Sequence, residues 1–154
     1  KDKDMTVQEG LLLINEVDMA TYGVFLAETS AGGHTNYDAL MNPSKTKEPT
    51  SVSYQERNGE ELPDELGELH HEARDIPLKI AIVGDTRQQW FSRYNALMEL
   101  LKSGWLNVEV PELGRIFKVY LKECSGYSHF TTLADTGQQV ACMTIVLREP
   151  KPEF

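Results

Sequence analysis

Between Ile76 and Leu101 the spacing of apolar side chains changes period, and that change governs what the chain can become. In "DIPLKIAIV" Ile76, Leu78, Ile80 and Ile82 fall on one side and Lys79, Ala81 and Val83 on the other, the two-residue repeat of a strand. From Asp85 to Ser103 the repeat becomes helical. Trp90, Tyr94, Leu97, Met98 and Leu101 share one stripe, while Arg87, Arg93, Asn95, Glu99 and Lys102 lie mostly opposite. Thr86 followed by Gln89 matches a capping box, and Gly104 stands where a left-handed C-terminal cap belongs. No other segment carries a comparable stripe, so the repeated strand–helix alternation of a parallel sheet is missing.

Strand patterns dominate the remainder. "LLLINEVD" at 11–18 starts apolar and then alternates, and Tyr22-Gly23-Val24-Phe25-Leu26 is a second short strand. Thr35 to Pro49 reads as a loop with a helical turn at "NYDALM". In "SVSYQERNGEEL" the Asn58-Gly59 pair predicts a tight hairpin turn because both residues tolerate positive φ; the arm after it is acidic and weakly apolar. After the helix, "GWLNVEVPELGRIFKVYLKECSGY" gives two strands about a Pro-Glu-Leu-Gly turn, with Phe117, Val119 and Leu121 on the buried side. "GQQVACMTIVLRE" closes the pattern with Ala141, Met143, Ile145 and Leu147 on one face. Short turns that join strands directly imply antiparallel pairing and an α+β fold. With 154 residues and 40% hydrophobic content, residues 1–154 read as a single domain with frayed termini at about 1–5 and 149–154, where "KDKD" and "EPKPEF" stand.

The formal net charge of −9 argues against direct nucleic-acid binding, which requires clustered lysine and arginine. Much of the excess sits in "QERNGEELPDELGELHHEARD", read as a solvated loop, with an acidic contact surface for a basic partner as the alternative. Cys124 and Cys142 show neither metal spacing nor a disulfide framework, and their place in predicted strands implies buried, reduced thiols. No apolar run approaches the ~20 residues that cross a bilayer, and no leader pattern opens the chain, so a protein of the reducing cytoplasm without membrane contact is expected.

Chemical readings compete with plain architecture at three places. A nucleotide- or small-molecule-binding loop at Gly84, Asp85 and Thr86 is the alternative functional reading. A phosphate loop needs several glycines and a lysine, whereas here one glycine precedes a carboxylate. The simpler reading is a strand relaxing into a helix cap. "DELGELHHEARD" offers Asp64, Glu65, Glu68, His70, His71, Glu72 and Asp75, yet adjacent histidines point to different faces, and no metal or cofactor is predicted. His34 and His129 lack a nucleophile's context, so no catalytic residue is assigned and the chain is not read as an enzyme. Aromatic residues gather at both ends of the helix, most of them read as core. Phe91 falls off the stripe beside Trp90 and reads as a contact with a neighbouring subunit.

From about Tyr22 to Arg148 the order of these features resembles the N-terminal domain of the phage distal tail protein family, whose fold is related to tail-tube proteins. The pieces are Tyr22-Gly23-Val24, the Arg57-Asn58-Gly59 turn, "ARDIPLKIAIVG", "QQWFSRYNALMELLKSGW" and "RIFKVYLKECSGY". They are patterns of hydrophobicity and turns, and their joint order carries the likeness. "QERNGEEL" departs from the family's more usual Pro-Gly-Arg step, and the second, carbohydrate-module-like domain of larger members has no counterpart in the sequence. The resemblance implies a mainly antiparallel β-sandwich or split β-barrel with one packed α-helix, assembled as a homo-oligomeric ring, a hexamer, beside other phage tail proteins. It also implies the virion tail as location, after synthesis in the bacterial host cytoplasm. On that reading Phe91, Arg57, Asn58 and Gly59 are the candidate subunit-interface residues, and a tail terminator or baseplate adaptor is the alternative within the class.

Overall fold

A computed structural model describes residues 10–28, 33–49, 51–53, 55–65, 67–131 and 137–154. The expected loose N-terminal end at about 1–5 lies outside the described residues. β1 (Leu13–Ile14) and β2 (Val17–Asp18) form a minimal hairpin, and a one-turn 3-10 helix at Met19–Tyr22 leads to β3 (Val24–Leu26). Then come α1 (Thr35–Met41), β4 (Arg74–Gly84), α2 (Arg87–Leu101), β5 (Leu106–Val110), β6 (Arg115–His129) and β7 (Gln139–Glu149). The fold is α+β: one seven-stranded sheet in the order β2-β1-β5-β6-β7-β4-β3, antiparallel at every step.

The sheet is not closed into a barrel. Its two ends are β2 and β3, and the chain itself crosses between them through the 3-10 turn. β6 hands the sheet over: residues 115–119 pair with β5, and residues 120–129 pair with β7. The aliphatic alternations of β4 and β7 meet in one hydrophobic cluster with Phe117 and Val119 of β6 and Leu106, Val108 and Val110 of β5. α2 seals that cluster with Trp90, Leu97 and Leu101, and Tyr94 and Met98 pack at its margin, as the stripe requires.

The structure corrects several expectations, each for a local physical reason. There are two α-helices rather than one among the described residues, because "NYDALM" continues into a two-turn helix capped from afar. The Glu28 carboxylate accepts from the Thr35 N–H at 2.6 Å, and Arg74 donates to the Leu40 and Asn42 carbonyls at 2.7 and 2.6 Å. The strand expected at 11–18 folds back on itself at Asn15 and Glu16, whose φ values of 53° and 68° make the tight turn. Asn58-Gly59 does not: Val52 and Glu61 bridge across residues 53–60, and of the pair only Gly59 takes positive φ. Trp105 is exposed instead of buried, with the Lys118 ammonium 4.9 Å from its ring. Cys142 is buried but Cys124 is exposed. Glu149, assigned to the loose C-terminal end, is buried in a 2.6 Å ion pair with Arg74, and the Phe154 ring lies 4.8 Å from that guanidinium.

Candidate assembly surface

The loop of Gly84, Asp85 and Thr86 is a packing junction. A Cβ on Gly84 would stand 2.7 Å from the Trp90 backbone nitrogen and Cα, so the helix rests directly on the strand end. Trp90 Nε1 donates to the Ile82 carbonyl at 3.1 Å and Arg93 to the Val83 carbonyl at 2.6 Å. Thr86 Oγ1 accepts from the Gln89 N–H at 3.1 Å, while Gln89 Oε1 accepts from the Asp85 N–H at 2.7 Å. Two of the backbone donors at this helix start, those of Asp85 and Gln89, are therefore engaged within the protein.

The histidine and carboxylate run is likewise spread out. His71 Nδ1 lies 2.7 Å from the Ser44 carbonyl and its ring meets Phe154 edge-on at 4.9 Å, while Glu72 pairs with Lys45 at 3.6 Å. Asp75 accepts from Lys122 at 2.7 Å and from Arg148 at 2.8 Å, and those bonds hold its carboxyl below the ordinary aspartate value. Among the described residues no group of three His, Cys, Asp or Glu is placed to hold a metal ion. No described helix is long and apolar enough to cross a membrane.

What the fold leaves open is the far half of β6. One edge of residues 120–129 pairs with β7, the other has no strand partner among the described residues, and side chains from 122 to 128 are exposed on both faces. Two bulges break its register against β7. One inserts Lys122 and the other lies between Ser125 and Ser128, where Gly126 takes φ 63°.

Rings join this open half to α2. Phe91, 43% exposed, meets Trp90 edge-on at 5.1 Å, and Tyr94 stacks on Trp90 at 5.2 Å. Tyr127 approaches both Trp90 and Tyr94 at 6.4 Å. Its hydroxyl lies 2.7 Å from His129 Nδ1, and His129 Nε2 lies 2.7 Å from Gln139 Oε1. Phe91 is thus one end of an aromatic ladder that runs from helix to strand. The sequence reading gives Tyr127 no role and weighs His129 only as a catalytic base; the fading of alternation after Leu121 is the signal that marks both.

Arg57, Asn58 and Gly59 belong to a different place, an arm between residues 44 and 72 whose described residues are mostly exposed. Ser44 Oγ donates to the Glu72 carbonyl at 2.5 Å at its base, and single bridges join Thr46 to His71 and Val52 to Glu61. The arm carries eight carboxylates against three basic side chains. Arg57 pairs with Glu61 at 2.7 Å in the outer part.

No protein-family model matches the chain, and no curated protein matches it. A solved structure does: the SPP1 Dit (gp 19.1) protein, described as a paradigm of hub adsorption apparatus in Gram-positive infecting phages. The likeness covers 94% of this chain and 53% of that one, at 13% identity and a TM-score of 0.51. This chain spans about half the length of that protein, and at such identity the likeness is one of fold.

Proposed function

We propose that the chain is a structural component of a phage or prophage tail, a distal tail or tail-tube-like ring protein that acts by assembly and not by catalysis. The observation that carries this reading is the open half of β6 with its aromatic ladder, set in a fold similar to that of SPP1 Dit. A long strand edge with both faces bare is a hazard for an isolated protein, and natural proteins keep one where something covers it. A neighbouring subunit that meets this edge gains backbone hydrogen bonds, and Phe91 beside it supplies apolar area. One surface meeting a different surface on the next copy closes into a ring when the rotation repeats evenly, and a hexamer is the number the family resemblance suggests. The acidic arm, with Arg57, Asn58 and Gly59, reaches the next subunit or an adjoining tail or baseplate protein in this reading. The excess of carboxylates suits protein contacts and opposes direct contact with nucleic acid.

Light scattering coupled to size-exclusion chromatography tests the proposal. A discrete oligomer is expected, shifted toward monomer by Phe91→Asp combined with Tyr127→Asp while the monomer's circular dichroism stays unchanged. A strict monomer at every concentration would sink it.

A further inference from the structure

A second open place lies on the opposite side of the sheet order, at β3. The Gly23 carbonyl accepts from Val83 N–H at 2.9 Å and Ala27 N–H donates to the Lys79 carbonyl at 2.8 Å. Those two bonds set the phase of the ladder: Gly23, Phe25 and Ala27 turn their backbone groups toward β4, so Val24 and Leu26 turn theirs away from it. No strand among the described residues pairs with that outer edge, since β3 ends the sheet order. Beside it lies a cavity of about 360 Å³ whose lining includes Leu11, Leu12 and Leu26 together with Asp18, Glu28 and Glu112. Among the described residues no lysine or arginine lines it.

The rim is anionic as well as acidic in composition. Burial works to raise the Glu28 carboxyl, but hydrogen bonds from Thr35 and Asn36 outweigh it and hold the group below its ordinary value. Burial pushes the Tyr37 hydroxyl up to about 12, helped by its bond to Glu112 and by the charges of Glu112 and Glu28. Asp18 accepts from the Gly10 and Ala20 N–H groups at 2.9 and 3.0 Å, with no cation upon it in those bonds.

We propose that this seam between β2 and β3 is a docking groove for an extended basic peptide of another protein, which adds as a strand to the outer edge of β3. Successive side chains of such a strand point to opposite sides. One set meets the leucines and the other meets the carboxylate rim, so the segment that fits alternates apolar and basic residues. A helix would leave the Val24 and Leu26 edge groups without partners, and this chain's own acidic arm would be repelled by the rim. The inference stands apart from ring assembly, because it needs only one folded copy.

A fluorescein-labelled hexapeptide of alternating valine and lysine is the probe, read by anisotropy, with amide chemical shifts of the protein mapping the site. Saturable binding is expected, with shifts confined to the neighbourhood of residues 11–28 and Glu112. A valine–glutamate peptide and an N-methylated valine–lysine peptide are each expected to bind roughly tenfold more weakly, from lost charge complementarity and lost backbone bonds respectively. Leu26→Pro removes the outward N–H together with a leucine side chain of the groove, and is expected to abolish the shifts while the protein still melts cooperatively. Equal binding by the N-methylated peptide, shifts that map to residues 44–72 instead, or no saturation at millimolar peptide would overturn the groove. A monomer that binds as expected would keep the groove and reject the ring.

Discussion

The two halves of β6 are one continuous strand with opposite relations to water. In residues 115–119 Phe117 and Val119 are wholly buried between exposed Ile116 and Lys118, whereas from 122 to 128 every residue is exposed. The first half lies over the core with β5 beside it; the second has a strand partner on one edge and, among the described residues, meets α2 through the rings of Tyr127 and His129 while its side chains from 122 to 128 stay exposed. Strict alternation therefore records a face that the chain covers with its own residues, and the loss of alternation records a face it leaves for something else. The handover is pinned electrostatically. Lys122 in the first bulge and Arg148 on β7 converge on Asp75 of β4, tying three strands together where β6 changes neighbours.

The largest effect that separates the halves is expected from Phe117→Ala, which empties a fully buried ring site and costs about 3–5 kcal/mol in urea denaturation. A cost near zero would erase the distinction. Next comes Gly126→Ala in the second bulge. The added methyl has room, 3.7 Å from Thr144 Oγ1, so the loss of about 1–2 kcal/mol comes from the left-handed backbone alone, and the m-value is expected to stay constant.

Smaller still is the Asp75 clamp. Its folded carboxyl is held below the unfolded value, so its contribution is fully present above the ordinary aspartate value of 3.8 and is lost as pH falls through the lower folded value. The pairs are partly exposed, so Asp75→Asn is expected to remove no more than ~1 kcal/mol at neutral pH and to flatten the acid limb of stability, less so in high salt. Tyr127→Ala closes the series: in the open half it is expected to shift monomer stability by only about 0.5 kcal/mol, yet to weaken self-association in light scattering. A large folding penalty at Tyr127 would mean that the open half is already part of the core.

Elements whose stabilising partners repeat along the segment itself were legible in the sequence. β4, α2 and β7 declare their buried faces by period alone, and Thr86 with Gln89 announces the start of α2. α1 showed in the sequence only as a helical turn at "NYDALM", because its caps come from Glu28 and Arg74, outside the helix. The tight turn at Asn15 and Glu16 was hidden for a related reason. Asn15 exchanges bonds with Asn107 at 2.9 Å in both directions, so β5 holds the turn from 92 residues away. Asn58-Gly59 has the better turn residues, but among the described residues a single β-bridge, not paired strands, flanks it, and local preference yields. At the candidate surface, Phe91 was visible because it interrupts a stripe, while Tyr127 lies where no pattern exists to be interrupted.

The eleven-rung ladder between β4 and β7 has a consequence for synthesis on the ribosome. Arg74 pairs with Glu149 and Gly84 with Gln139, so β4 emerges well before its central partner exists. At about 5–20 residues per second the nascent "IPLKIAIV" waits several seconds with its aliphatic face bare. Asp75, Pro77 and Lys79, on the side of β4 away from the core cluster, interrupt that run with two charges and a missing N–H, the residue types that keep an unpaired strand from joining its copies in neighbouring chains. A substitution on this side that leaves the finished fold nearly unchanged is therefore expected to decide how much of it is made: Lys79→Val would lower soluble yield at high expression temperature before it lowered the melting point of the protein that survives.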